Sequence, residues 1–213
     1  LVEGLFSYDL ALWYLEWDNF QARFATPVIN GFVNASSGIA GQGVEGSFTV
    51  NPAEGLSVIT NFAYTESTLN EDEPGLFGTK GQQLSYVPEW TVSSRVNYSF
   101  ALTPELDASV GIGARYEGSS RSTFTDAGSF VPGVSPPAGT YHATFNVPTD
   151  SYVAVDLNAG VTWDQVSLSL YATNLLNKEA LTSARGLYTF LGASAFSTPL
   201  TPRTIGARLS VDF

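Results

Sequence analysis

The 213-residue chain contains no cysteine and a single histidine, His142. The lack of cysteine excludes a disulfide framework, a thiolate nucleophile and a thiolate metal site. One histidine excludes a zinc site built from several histidines. The sequence also lacks a nucleophile with a supporting base and a glycine-rich phosphate loop. We therefore expect no enzymatic activity, no cofactor and no bound metal.

Charged residues are scarce, at 14% of the chain, against about a quarter in soluble domains. The 20 acidic residues outnumber the 9 basic ones, and the net charge is −11. A chain with this balance has no basic stripe for phosphates, which excludes a nucleic-acid partner. It also has no run of about eighteen apolar residues, so the sequence contains no transmembrane helix.

Aromatic residues and glycine are abundant, at 13% of the chain and 20 residues respectively. The clearest pattern runs from Tyr152 to Trp163, where apolar residues at odd positions alternate with small and polar ones. Period two is the signature of a β-strand, because successive side chains point to opposite faces. Apolar residues against Gly, Ser, Thr, Asn and Asp, with aromatics at the ends, fit a sheet between lipid and water. The sequence therefore predicts an all-β, antiparallel, up-and-down transmembrane β-barrel.

About eight segments carry this alternation: 4–20, 38–50, 56–65, 90–100, 106–116, 152–163, 166–173 and 204–213. In the first of them both rows are apolar, which leaves its outward face open. The connections alternate in length. Short ones fall at 51–55, 102–105 and 164–165, and long ones at 21–37, 67–88, 118–150 and 177–202. In a meander this alternation places all short turns at one end and all long loops at the other, as in outer-membrane barrels.

Three stretches resemble the C-terminal part of the TonB-dependent outer-membrane receptors. The first is Leu12–Trp17 (LWYLEW), followed by Asn34-Ala35 and Gly43-Val44-Glu45. The second is Tyr171–Lys178 (YATNLLNK), and the third is the terminus from Thr204 to Phe213. In that terminus Gly206, Leu209, Val211 and Phe213 resemble the signal that the barrel assembly machinery reads.

The resemblance implies a barrel of twenty-two strands with a plugged lumen. Residues 1–213 would form its C-terminal segment, and the plug domain would lie outside this chain. The implied function is uptake of a scarce nutrient, such as a ferric siderophore, cobalamin or an oligosaccharide, energised through TonB. The implied location is the bacterial outer membrane, crossed several times. The implied partners are membrane lipid, the rest of the barrel and plug, the TonB complex, the assembly machinery and a small-molecule ligand.

One alternative is a complete eight-stranded outer-membrane barrel with a structural or adhesive role. Pairing between its first and last strands would distinguish it from a segment of a larger barrel, because an open sheet exposes unpaired backbone groups to lipid.

Candidate functional residues fall into three groups. Side chains in the long connections that suit ligand contact are Arg121, Tyr141, His142, Arg185 and Tyr188. The acidic run 66–73 has the ligand type that calcium prefers but lacks the spacing of a calcium loop, so we interpret it as solvated. Three arginines, Arg95, Arg115 and Arg208, lie in polar rows. We interpret them as partners of Asp107, Glu117, Asp156 and Asp212 in ladders inside the barrel, or alternatively as the lining of a substrate path.

Overall fold

A computed structural model describes residues 4–25, 30–74, 76, 78–124, 144–189 and 192–212. Regular structure in this part of the chain consists of the following strands: β1 Phe6–Trp17, β2 Phe20–Ala25, β3 Asn30–Ala35, β4 Ile39–Ala53, β5 Leu56–Leu69, β6 Trp90–Thr103, β7 Leu106–Glu117, β8 Thr144–Phe145, β9 Tyr152–Trp163, β10 Val166–Thr173, β11 Leu181–Thr189, β12 Gly192–Pro199 and β13 Thr204–Val211. No helix within the described ranges is long and apolar enough to span a membrane.

Eight of these strands form one antiparallel sheet in the order β1-β4-β5-β6-β7-β9-β10-β13. Each strand pairs with the next strand of the sheet along the chain, which confirms the predicted up-and-down arrangement. Among the described strands, β1 and β13 do not pair with each other and lie at the two edges. The sheet is therefore open.

The register of the sheet keeps one apolar row in line across all eight strands. Its members are Phe6, Val50, Val58, Val96, Ile112, Leu157, Ala172 and Ile205. None of the larger side chains in this row is buried: Phe6, Ile112, Leu157 and Ile205 are exposed, and Val50, Val58 and Val96 are partly exposed. The exposed fraction is 46% at Ile112, 44% at Leu157 and 74% at Ile205. This exposure agrees with the predicted lipid-facing row, because an apolar face turned to lipid needs no protein cover.

The opposite face carries the polar row. Ser57, Asn97, Gly111, Asn158, Tyr171 and Gly206 align across six neighbouring strands. The same register decides the orientation of β1, which its sequence left open. Leu12 pairs with Val44 and lies on the apolar face, whereas Ala11 pairs with Glu45 and lies on the polar face.

Aromatic side chains collect at the two ends of the apolar face. At the end with the short turns, Phe6 stacks on Phe48 with ring centroids 6.1 Å apart. At the other end, Tyr64 lies 4.9 Å from Trp90. Tyr14 follows Phe6 on β1 by eight residues, about 27 Å at ~3.4 Å per residue. Tilted strands bring this length close to the ~25 Å apolar band of outer-membrane barrels.

Several glycines face an aromatic ring on the neighbouring strand. Gly43 pairs with Trp13, and Gly206 pairs with Tyr171. A Cβ atom at Gly43 would lie 2.6 Å from Trp13, and one at Gly206 would lie 2.4 Å from Tyr171. The ring covers the backbone that glycine leaves bare, an arrangement that also fixes the register.

The short turns are tighter than the sequence indicated. The predicted turns 51–55 and 102–105 narrow to 54–55 and 104–105, because the strands continue through irregularities after Val50 and Ala101. Gly55 has a φ of +73°, and a Cβ there would lie 2.0 Å from the carbonyl oxygen of Ser99. This turn therefore requires glycine.

Three long connections were predicted as loops but contain strands, so that part of the prediction is wrong. The hairpin β2–β3 begins at Phe20 and occupies most of 21–37, the hairpin β11–β12 lies within 177–202, and β8 lies within 118–150. The loop predicted to begin at residue 67 starts later, because β5 continues to Leu69. These strands pair with each other and not with the main sheet. Strands β11 and β12 lack a continuous apolar row, and β2 and β3 are only six residues long, so their sequences give little periodic signal.

Placing a lysine on each face of β7 in turn tests which face lies against lipid. Val110 and Ser109 are neighbours near the middle of the strand, on the apolar and polar faces respectively. In lipid we expect Val110→Lys to lower the free energy of unfolding by about 2–4 kcal/mol and Ser109→Lys to change it little. The measurement is the urea midpoint of the full-length protein in phospholipid vesicles. Equal losses in the two variants would contradict the face assignment.

Candidate functional site

All long connections of the main sheet lie at the same end, which we call the long-loop end. They are residues 18–38, 70–89, 118–151 and 174–203. The antiparallel order explains this, because alternate connections of a meander return to the same side. The predicted separation of short and long connections is therefore confirmed.

A small apolar core lies beneath these connections. Its members are Phe20, Ala35, Ile39, Leu69, Leu76 and Phe124, which come from three of the four connections and from β4 and β5. Ile39 pairs with Leu69 on the face that is polar further along the sheet. Three of the connections are thus packed over the polar face of the sheet at this end, which holds their bases in place.

Connection 70–89 is bonded back onto β5. The backbone N–H of Leu69 donates to the carbonyl of Gln82 at 3.0 Å, and that of Leu84 donates to Ser67 at 2.9 Å. These bonds fold the connection into a compact unit above the end of the strand.

The acidic run 66–73 supplies hydrogen-bond acceptors. Glu73 is buried, and its Oε2 accepts the backbone N–H of Ser37 at 3.1 Å. Asp72 accepts the backbone N–H of Lys80 at 2.8 Å. The interpretation of this run as solvated is therefore wrong for Glu73. No cluster of three potential metal ligands occurs in the ranges that the structure describes.

The base of connection 118–151 is closed by hydrogen bonds. Ser120 and Thr149 exchange backbone hydrogen bonds of 3.2 and 3.0 Å. The backbone N–H of Ser122 donates to Asn146 Oδ1 at 2.9 Å, and Ser122 Oγ accepts the N–H of Val147 at 2.8 Å. The position of the intervening Arg121 is fixed on both sides.

The hairpin β11–β12 presents a cation on an aromatic ring. Arg185 and Phe196 are direct cross-strand partners, and the guanidinium lies 5.3 Å from the ring centroid. Both side chains are exposed. A guanidinium held over a ring is oriented by cation–π attraction while its hydrogen-bond donors stay accessible. This pair is suited to binding an anionic ligand.

The base of that hairpin is held by Asn174, which is 3% exposed. Its Nδ2 donates to the carbonyls of Lys178 and Thr201 at 3.0 and 2.9 Å, and its Oδ1 accepts the N–H of Lys178 at 2.8 Å. Its own N–H donates to Asp156 Oδ1 at 2.8 Å. The side chain thus joins the two ends of connection 174–203 to each other, and the backbone N–H bonds the residue to β9.

The polar face carries a concavity of about 440 Å³ across β1 and β4 to β7, whose charged lining residues are Asp9, Glu45, Arg115 and Glu117. Arg115 lies 5.9 Å from the centroid of the Tyr152 ring, and Tyr152 donates its hydroxyl to Glu117 at 2.6 Å. Glu117 therefore accepts a hydrogen bond from Tyr152, and Asp156 accepts one from the backbone of Asn174. The interpretation of these carboxylates as partners of arginines is incomplete, because it left these donors out.

A family model described as the TonB dependent receptor-like β-barrel matches residues 2–175. The chain belongs to this family. Among solved structures it is similar to the ferric yersiniabactin uptake receptor FyuA from Yersinia pestis, with a TM-score of 0.71 and 18% identity. It is also similar to the ferripyoverdine receptor of the Pseudomonas aeruginosa outer membrane, with a TM-score of 0.65 and 20% identity. A third is BauA, the ferric preacinetobactin receptor from Acinetobacter baumannii, with a TM-score of 0.62 and 16% identity.

The chain spans only about a quarter of the length of these receptors. The alignment with FyuA covers 99% of this chain and 28% of the receptor, and that with BauA covers the same shares. The alignment with the ferripyoverdine receptor covers 100% of this chain and 25% of the receptor. No curated protein sequence matches the chain. At these identities the structures show a shared fold.

The candidate ligand residues can be placed on this member of the TonB-dependent receptor-like barrel family. Arg121 and Arg185 both lie at the long-loop end, the first half-buried and the second exposed. Tyr188 lies in β11, and Tyr141 and His142 fall outside the described residues. Sequence reasoning missed three further residues there, namely Tyr86, Asn174 and Phe196. Only Asn174 had a signal, because it lies in the YATNLLNK stretch.

Asn174 and Asn19 offer a matched test of the base of the hairpin. Both have left-handed backbones, with φ of 48° and 53°, but Asn19 is exposed. Glycine accepts this conformation, so Asn174→Gly removes only the side-chain hydrogen bonds. Each buried group left unpaired costs about 1–3 kcal/mol. We expect faster protease cleavage between residues 178 and 203 in Asn174→Gly and no change in Asn19→Gly. Equal cleavage rates in the two variants would contradict the proposed role.

Proposed function

We propose that this chain is the C-terminal barrel segment of a TonB-dependent receptor that imports a ferric siderophore across the bacterial outer membrane. The observation that carries the proposal is the open eight-stranded sheet, with one exposed apolar face and every long connection at one end. Hydrocarbon does not tolerate unpaired strand edges. The edges of β1 and β13 would therefore be paired by further strands of a twenty-two-stranded barrel, which encloses a plug domain.

The proposal implies several partners. Lipid would cover the apolar face, the plug would lie against the polar face, and the TonB complex would supply energy. The terminal residues Leu209 and Val211 are 67% and 43% exposed on the apolar face. Together with Gly206 and Phe213, the last of which lies outside the described residues, they remain a predicted signal for the assembly machinery.

The ligand class is supported by the Arg185–Phe196 pair. A fixed, accessible guanidinium suits an anionic chelate, and the adjacent ring suits its apolar or aromatic parts. The similar structures are receptors for ferric yersiniabactin, ferripyoverdine and ferric preacinetobactin. These observations favour a ferric siderophore over cobalamin or an oligosaccharide, and favour binding and import over catalysis.

The alternative, a complete eight-stranded barrel with a structural or adhesive role, requires β1 to pair with β13. The described residues of these strands do not pair. We therefore do not favour it.

Growth under iron limitation tests the proposed import. A strain lacking the gene is supplied with ferric yersiniabactin, ferripyoverdine or ferric preacinetobactin, with and without the full-length protein. We expect growth and accumulation of radioactive iron with at least one chelate, both of which are lost when TonB is deleted. Accumulation that does not depend on TonB, or that fails with all three chelates, would overturn the proposal.

Arg185→Gln tests the binding surface. We expect the affinity for the chelate that supports growth to fall about tenfold or more, because a charge-assisted hydrogen bond contributes about 1.5–3 kcal/mol. Lys178→Gln removes the same charge from an exposed side chain at the base of the hairpin and serves as the control. The measurement is titration of tryptophan fluorescence in detergent. An equal effect of both substitutions would show that the overall charge matters and the Arg185–Phe196 pair does not.

A further inference from the structure

Tyr86 lies in connection 70–89 in an unusual conformation. Its φ is +63°, a region that side chains bearing a Cβ rarely adopt, and 52% of the residue is exposed. A tyrosine at such a position needs contacts that hold it there. Two of its hydrogen bonds lead away from its own connection, in different directions.

The first bond reaches connection 118–151. The backbone N–H of Tyr86 donates to the carbonyl of Arg121 at 2.7 Å. The backbone of Arg121 is held in position, because its neighbours Ser120 and Ser122 form hydrogen bonds with Thr149 and Asn146. A second bond supports the same junction, from Gln82 Nε2 to the carbonyl of Phe124 at 2.6 Å.

The second bond reaches the hairpin β11–β12. The hydroxyl of Tyr86 donates to the carbonyl of Ala184 at 3.2 Å. Ala184 is buried and pairs with Ser197 on β12. It directly precedes Arg185, so this bond acts on the part of the hairpin that holds the exposed guanidinium.

A third junction links connection 118–151 to the hairpin β11–β12. In connection 118–151, β8 pairs with β11 through Phe145 opposite Gly186 and Thr144 opposite Leu187. Each of the three connections is therefore bonded to the other two, and Tyr86 takes part in two of the three junctions. A closed set of contacts resists relative motion more than a chain of pairs does.

We propose that Tyr86 is a positioning residue that joins connections 70–89, 118–151 and 174–203 into one body and holds the hairpin in place before ligand arrives. The benefit of this coupling rests on the proposed import function, because a hairpin held in place pre-organises the Arg185–Phe196 pair for binding. The coupling itself is a property of the ligand-free protein. It can therefore fail or hold whatever the protein transports.

Tyr86→Phe removes the hydroxyl and leaves the ring and the backbone bond to Arg121 unchanged. Because the chain has no cysteine, spin labels can be placed at Lys80→Cys and Ser194→Cys, both exposed and on the two connections that the hydroxyl joins. We expect one narrow distance distribution with Tyr86 and a broad one with Tyr86→Phe, by double electron–electron resonance on the ligand-free, full-length protein. An unchanged distribution would overturn the proposal.

Hydrogen–deuterium exchange separates lost coupling from general destabilisation. In Tyr86→Phe we expect exchange at residues 183–187 to rise about threefold to tenfold, with no change at 120–122 or in the pairing of β4 with β5. Tyr98→Phe removes an exposed hydroxyl from the apolar face and should change none of these. A rise across the main sheet, or no rise in the hairpin, would overturn the proposal.

Discussion

The structure depends on the register that holds one apolar row in line from Phe6 to Ile205 across eight strands. A shift of one residue at any strand pair would move every side chain beyond it to the opposite face. Several features oppose such a shift. A shift of one residue would replace Gly43 opposite Trp13, and Gly206 opposite Tyr171, by residues that carry a Cβ atom. The two-residue turns also leave no spare length.

The main sheet was predictable because its signal repeats. Each strand carries its own period-two alternation, and the alternating lengths of the connections predict the topology. The first strand was the exception, because the residues of both its rows are largely apolar. Its orientation depends on its partner, since Glu45 on β4 decides which face Ala11 shares. No property of β1 alone contains that information.

The long-loop end was predictable in position but not in structure. Its order comes from single polar contacts between segments far apart in sequence, such as Asn174 with Thr201 and Tyr86 with Ala184. A backbone carbonyl as partner leaves no trace in the sequence, because every residue has one. Of the five ligand residues chosen by type, Arg185 gained a structural context because Phe196 lies opposite. That pairing follows from hairpin register and not from composition.

The apolar face of the sheet and the connections at the long-loop end are ordered by different interactions. The apolar face needs only the right class of residue at every second position, because lipid is tolerant of side-chain shape. The connections do not lie against lipid. Their small apolar core, which includes Phe20, Leu69 and Phe124, packs only at their bases. Above that core, hydrogen bonds to the backbone set the geometry. A hairpin held in this way can change its surface residues without disturbing its support, because the groups that hold Asn174 and Tyr86 are largely main-chain atoms. The exposed residues of this end can therefore change while the sheet beneath stays the same.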